Sequence, residues 1–316
     1  MLNVGMVGMG GISRSHVSAW LRIPEAKVVS VCDIRAEKAD AAAKATGARA
    51  YLDFEDMLKN ESFDILDICL PTYLHADFAV RALNAGKHVI TEKPISLKRE
   101  DVARIYDAAK KNDRRFMVAQ VLRFWREYCV LKDAYDSGRY GKLLSGRMTR
   151  LGNTPKWSWD GWMRDPARSG MVPFDLHIHD LDFMVYAFGK PESLSCSRAG
   201  NSDQDYINAV YKYPDFFICA EAAWFNCDFK FSSAFRFQFE HAVLDFNGKS
   251  LVTYLENGET HTLEPETGAE NGLDLPDCDA YYNEIRYFTN CVLNHVPCDM
   301  VRQGELETVL ELIGQL

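Results

Sequence analysis

One pattern repeats through the first 120 residues: a short apolar run, a turn, then an amphipathic stretch of helical period. Strand-like runs fall at 2–7, 27–32, 50–52, 65–70, 87–91 and 115–119, and helical ones at 12–21, 36–46, 54–59, 76–85 and 98–111. Strands that alternate with helices pair in parallel, because each crossover carries the chain back to the same end of the sheet. Right-handed crossovers then place helices on both faces, and an open, doubly wound α/β sheet is expected.

From Tyr206 the pattern changes to consecutive runs rich in Phe, Val and Tyr, at 216–225, 232–240 and 242–246. Asn247-Gly248 and Asn257-Gly258 read as two-residue hairpin turns, whose central positions need positive φ. This part is expected to be an α+β domain with a mostly antiparallel sheet and a last helix at 303–313. The expected division is 1–122 and 123–316, and 316 residues with a 47% hydrophobic share suffice for two cores.

Composition excludes several classes. With 36 basic and 45 acidic side chains the balance is −9, which argues against a nucleic-acid partner. No apolar run is long enough to cross a bilayer, and the first residues read as a strand and a glycine turn, so a cytoplasmic protein with no membrane partner is expected. Nine cysteines without a C-x-x-C pair read as reduced thiols.

The first strand runs into Gly8-Met9-Gly10-Gly11-Ile12-Ser13 and then a helical pattern. Gly8 suits the tight turn, Gly10 the approach of backbone to a pyrophosphate, and the next helix offers free amides to the phosphates. The third glycine of such a turn is Ser13 here. Asp33 ends the second strand, where a carboxylate accepts both ribose hydroxyls and repels a 2′-phosphate, which favours NAD. Arg35 keeps NADP open. Gly8, Gly10, Gly11, Ile12, Asp33 and Arg35 are therefore the expected cofactor contacts of a Rossmann-type unit.

The fourth and fifth strands end in Pro71-Thr72 and Glu92-Lys93-Pro94, at the carboxyl edge where open α/β sheets bind ligands. Proline at 94 restricts Lys93 to extended backbone, so its amine can be aimed. The glycine turn, Pro71-Thr72-x-x-His75, Ala85-Gly86-Lys87-His88-Val89 and Glu92-Lys93-Pro94 together resemble the Gfo/Idh/MocA family of glucose–fructose oxidoreductase and inositol dehydrogenase. The resemblance extends over Arg139-Tyr-Gly-Lys142 and Tyr281-x-x-Glu284-x-x-x-Phe288. It implies NAD(P), a catalytic Lys93, cofactor contacts from Pro71, Thr72, His75 and Glu92, and a homodimer or homotetramer built on the antiparallel sheet, with strands 216–239 as the surface to examine.

Pro173 to Gly189 can be read with two periods. A strand would put Asp175, His177 and His179 on one face, as in a metal site. A helix puts Phe174, Ile178, Leu181, Val185 and Phe188 on one stripe, with Asp175 and His179 as i,i+4 neighbours and His177 pointing away. The helix explains more residues, and Pro173 and Gly189-Lys190-Pro191 punctuate it, so no metal is expected. The resemblance agrees, since an Asp-x-x-x-His pair on such a helix faces the nicotinamide in the family.

These residues make a hydride-transfer site. Neutral His179 can take a hydroxyl proton with Asp175 holding its tautomer, while Lys93 stabilises alkoxide character; Lys93 and His179 can exchange the base role. Arg123 and Trp162, among tryptophans and arginines leading to that helix, are candidate substrate contacts. The resemblance implies a sugar, inositol or related polyol substrate. The alternatives are a glycosidase that oxidises and re-reduces its substrate with retained NAD, and a non-catalytic nucleotide sensor.

Overall fold

In the computed structural model, which describes residues 1–201, 203–264 and 279–316, the early alternation becomes a six-stranded parallel sheet. Its strands are β1 (Leu2–Val7), β2 (Ala26–Cys32), β3 (Arg49–Tyr51), β4 (Ile65–Ile68), β5 (His88–Glu92) and β6 (Phe116–Ala119), in the order β3-β2-β1-β4-β5-β6. The order reverses between β1 and β4, and a crevice forms at such a switch point. The crossovers are α1 (Ser13–Trp20), α2 (Ala36–Thr46), α3 (Phe54–Asn60), α4 (His75–Asn84) and α5 (Glu100–Lys111). α5 shows why these stretches are helical: Val102, Ile105, Ala108 and Ala109 share its buried face, acids occupy its first turn and lysines its last. Every residue of β4 is buried, as expected for a strand covered on both faces, and Asp67 is its one charged member.

A second compact unit begins at Val121. It holds α6 (Arg126–Ser137), β7 (Leu143–Asn153), α7 (Pro166–Ser169), α8 (Ile178–Phe188), β8 (Ser193–Asn201), β9 (Gln204–Lys212), β10 (Phe217–Phe225), β11 (Ser232–Phe239), β12 (Ala242–Phe246), β13 (Leu251–Leu255) and β14 (Thr260–Leu263). The sheet order is β14-β13-β12-β11-β7-β10-β9-β8. β7 and β10 pair in parallel and the other neighbours are antiparallel. One face is covered by α6 and α8: the Tyr128 ring meets Phe183 at 4.9 Å and Phe235 at 5.0 Å, both edge to face.

Several expectations change here. The aromatics of β11 do not form an outer surface, because Phe235, Phe237 and Phe239 are buried while Arg236 and Gln238 point outward. The period of two puts alternate residues on opposite faces, and the aromatics fall on the helix-covered one. The hairpin loops are longer than two residues. Phe246 pairs with Leu251 across a loop in which Asn247 Oδ1 accepts from Lys249 and Ser250, and only Gly248 has positive φ. Leu255 bonds Glu259 across residues 256–258, with Gly258 in the left-handed position of a three-residue loop.

The division at residue 122 also needs correction. α9 (Ala280–Leu293) joins the first unit, packing on α1, with Arg22 paired to Asp279 at 2.7 Å and Arg286 to Glu25. Arg115, before β6, donates to the carbonyls of His295 and Val296. An amphipathic helix docks where its apolar face and its charges find partners, which chain order does not decide. α10 (Gln303–Ile313) is the last element. The eight described cysteines are free thiols, and Cys278 lies outside the described residues.

Candidate active site

The glycine turn and Asp33 are brought together in the first unit. Gly8 has φ +86, and a Cβ there would lie 2.6 Å from the Cys69 carbonyl oxygen, so the turn excludes any side chain. The space beside Gly10 is open, as an approaching phosphate requires. Ser13, in the place of the third glycine, donates its hydroxyl back to the Gly10 carbonyl at 2.8 Å. No side chain caps the start of α1 at Ile12, and Gly11 is exposed. The Met9 amide donates to Asp33 Oδ2 at 2.8 Å, which fixes the carboxylate against the turn.

Asp33 and Arg35 form a forked pair, with Nε on Oδ1 and Nη2 on Oδ2, both at 3.0 Å. Burial works to raise the Asp33 carboxyl, but the Arg35 guanidinium and the amides of Arg35 and Met9 hold it below the usual carboxylate range. The residue expected to favour NAD and the residue expected to leave NADP open are thus paired with each other.

At the ends of β4 and β5, Pro71 and Lys93 are half-buried and Thr72 is buried. The Lys93–Pro94 peptide is cis. His75 and Glu92 depart from their expected role as cofactor contacts. His75 is 1% exposed and places its ring nitrogens 2.7 Å from the Pro94 and Leu70 carbonyls, tying the loops after β5 and β4 together. Burial pushes its pKa down, against the pull of the two carbonyls. Glu92 directs one carboxylate oxygen to His16 Nε2 and the other to the Lys93 amide. Both side chains face into the protein because their polar atoms have partners there.

In the second unit, Pro173–His177 forms a single wide π turn that leads directly into α8, so Asp175 and His179 lie on one helical run and both are half-buried. Wide turns of this kind occur often at functional sites. His177 is fully buried, stacked on Tyr211 with Nε2 2.6 Å from its hydroxyl. Its ring turns into the core, so His177 and His179 do not converge as the strand reading required.

Burial, with Arg150 nearby, lowers the His177 pKa from 6.5 to about 4. A histidine kept neutral in the fold charges first in the unfolded chain, so stability is lost as pH falls from 6.5 toward 4. That gap is worth about 3 kcal/mol at 1.36 kcal/mol per pH unit. Urea unfolding of the wild type is expected to weaken by this amount between pH 7 and 4 relative to His177→Gln; parallel curves would remove His177 as the cause.

Arg123 is not placed to meet a substrate. Its side chain is wholly buried, with Nε and Nη2 on the two Asp182 oxygens at 2.8 and 2.6 Å and the guanidinium 4.7 Å over the Tyr186 ring. Sequence reasoning found a flat cation near the helix but not the carboxylate that takes it. Trp162 is half-buried in the kinked segment Trp159–Arg164, where Asp160 and Gly161 have positive φ.

Sequence reasoning also missed two buried pairs. Arg150 on β7 reaches Asp180 of α8 at 2.8 Å and the Tyr128 hydroxyl at 3.1 Å. His16 of α1 meets Asp67 of β4 at 2.8 Å. The available signals were an aspartate inside the apolar run Ile65–Ile68 and a histidine one turn after the glycines.

A glycine turn at a switch point with an acid bonded to it is the arrangement of a Rossmann-type dinucleotide-binding unit, and Lys93 lies at the end of β5 in the same sheet. Residues 2–120 match the model of the oxidoreductase family with NAD-binding Rossmann fold, and residues 128–243 match the GFO/IDH/MocA C-terminal domain. The chain belongs to the Gfo/Idh/MocA oxidoreductase family. Inositol 2-dehydrogenase of Salmonella typhimurium is 31% identical over 189 residues, 58% of this chain and 53% of that protein. Myo-inositol 2-dehydrogenase of Thermotoga maritima is 28% identical over 198 residues, 60% and 55% of the two chains. The chain thus spans about half the length of the curated relatives it matches. Among solved structures, levoglucosan dehydrogenase in complex with NADH and levoglucosan has a TM-score of 0.84 at 20% identity, covering 99% of this chain and 95% of its own. At that identity the likeness speaks for the fold. No helix among the described residues is long and apolar enough to cross a membrane.

Proposed function

We propose that this protein is an NAD(P)-dependent dehydrogenase acting on a secondary alcohol of a sugar, inositol or related polyol. The observation that carries this reading is the bond between the glycine turn and Asp33, which sets a ribose acceptor against an open phosphate-binding turn, with Lys93 at a strand end of the same sheet. The names of its relatives, inositol and levoglucosan dehydrogenases, support the substrate class.

Gly8, Gly10, Gly11 and Ile12 would hold the pyrophosphate with backbone amides, and Asp33 would accept the adenosine ribose hydroxyls. The nicotinamide, when bound, supplies the hydride acceptor. Lys93 donates a hydrogen bond to the substrate oxygen and stabilises its growing negative charge. His179 takes the hydroxyl proton, and Asp175 sets its tautomer. Thr72, Pro71 and Trp162 complete the assignment as cofactor and substrate contacts. The protein works in the cytoplasm as a homodimer or homotetramer, which sedimentation tests, a monomer removing the oligomer.

NADH and NADPH titrations followed by nicotinamide fluorescence test the cofactor assignment. NADH is expected to bind more tightly, and Asp33→Ala to weaken it about 10- to 100-fold, the worth of a hydrogen bond to a charged group. Unchanged NADH binding in Asp33→Ala would overturn the ribose assignment.

A further inference from the structure

The first unit contains a buried polar chain that the proposed chemistry does not use directly. His16 lies in α1 with its ring wholly buried. Nδ1 is 2.8 Å from Asp67 Oδ2 on β4, and Nε2 is 2.9 Å from Glu92 Oε1 at the end of β5. The Trp20 indole donates to Asp67 at 2.7 Å, and the Tyr281 ring of α9 lies 6.3 Å from the imidazole. Glu92 Oε2 accepts the backbone N–H of Lys93 at 3.0 Å. A continuous bonded path therefore runs from α1 and β4 to the Lys93 peptide.

The ring faces a carboxylate oxygen at each nitrogen, and an imidazolium donates from both. Burial acts against that charge, but Asp67 overrules it and holds the His16 pKa well above its usual value. Burying three ionisable groups is costly, and apolar groups of the same volume are often at least as stable. What the ions add is direction, because each bond has one geometry. His16, Asp67 and Cys69 have the residue types of a metal site. Both imidazole nitrogens are engaged with carboxylates, however, and burial pushes the Cys69 thiol to about 12, which keeps it protonated.

We infer that His16 is a positioning residue which, through Glu92, fixes the Lys93 peptide and with it the direction of the Lys93 amine. On the other side of that residue, His75 holds the Pro94 carbonyl at 2.7 Å, so two buried histidines bracket the lysine. The functional meaning of the inference rests on Lys93 being the reacting amine of the proposed dehydrogenase.

The test reads the Lys93 amine itself, by its rate of modification with trinitrobenzenesulfonate in the full chain, mapped by peptide mass spectrometry. His16→Phe removes both ring bonds. Glu92→Leu cuts the link while leaving the His16–Asp67 pair, and serves if His16→Phe gives no cooperative melt. Glu92→Gln keeps an oxygen for the Lys93 amide and an N–H₂ that a neutral His16, with its proton on Nδ1 toward Asp67, accepts at Nε2. Modification of Lys93 is expected to change at least about threefold in His16→Phe and Glu92→Leu and to return to the wild-type rate in Glu92→Gln, with exposed Lys44 and Lys59 unaffected. A smaller change in a folded variant, or no rescue by Glu92→Gln, would overturn the inference. Normal turnover in Lys93→Ala would instead remove the catalytic role of Lys93 and leave the labelling result standing, so the two failures are told apart.

Discussion

Lys93→Ala and His179→Ala are each expected to lower turnover about 10²- to 10⁴-fold, the range for a positioned acid–base group. Removing a hydride from an alcohol needs a place for the hydroxyl proton and positive charge beside the oxygen as it becomes alkoxide. Lys93 can supply the charge because its backbone is held on both sides, by the Glu92 carboxylate at its amide and by His75 at the Pro94 carbonyl. His179 sits one helical turn from Asp175 on a run that starts with a wide turn. The assay uses the polyol found to reduce NAD in a substrate screen, with NADH affinity and thermal melting as controls. Loss of turnover with NADH binding kept within about twofold would place the defect in the chemical step, since uniform binding is unchanged. Near-normal turnover in either variant would sink the corresponding assignment.

Breaking the Arg123–Asp182 pair is expected to cost about 3–5 kcal/mol, the effect of leaving a buried charge without its partner. Both side chains are essentially inaccessible, and two parallel bonds at 2.8 and 2.6 Å join them. Arg123→Met would take the forked guanidinium away from the Asp182 carboxylate on the buried side of α8, the helix that carries His179. The double variant Arg123→Met/Asp182→Leu is expected to recover most of the loss, because apolar groups of similar volume fill the space without a desolvation penalty. Urea unfolding followed by tryptophan fluorescence and far-UV dichroism reads both. A single variant as stable as the wild type would show that the pair is solvated, and a double variant no better than the single would show that packing outweighs charge.

Local physics made much of the molecule legible. The 3.6-residue stripe of Phe174, Ile178, Leu181, Val185 and Phe188 predicted a helix against the strand and metal reading, and α8 is that helix. The alternation of the first 120 residues predicted the parallel sheet, with strand ends within a few residues. β7 was not legible. Its run Leu143–Asn153 carries a serine, two glycines and two arginines, and nothing local says that Arg150 points inward to Asp180. β8 is similarly obscured by serines and an arginine in Ser193–Asn201. The candidate site divides in the same way: Gly8, Asp33, Lys93, Asp175 and His179 are marked by motif and spacing, whereas Arg123, His75 and Glu92 were read as ligand contacts and prove to be internal connections.

By itself, then, the sequence determined the architecture and the residue types available for hydride chemistry, because periodicity, turn chemistry and short motifs act over a few residues. The tertiary structure decided which charged side chains face inward and which remain for a ligand. An arginine or histidine has the same local signature in either role, and only a carboxylate from a distant element, Asp182 for Arg123 or Asp67 for His16, makes its burial tolerable. It also decided that α9, far along the chain, belongs with α1, where Arg22 and Glu25 meet Asp279 and Arg286.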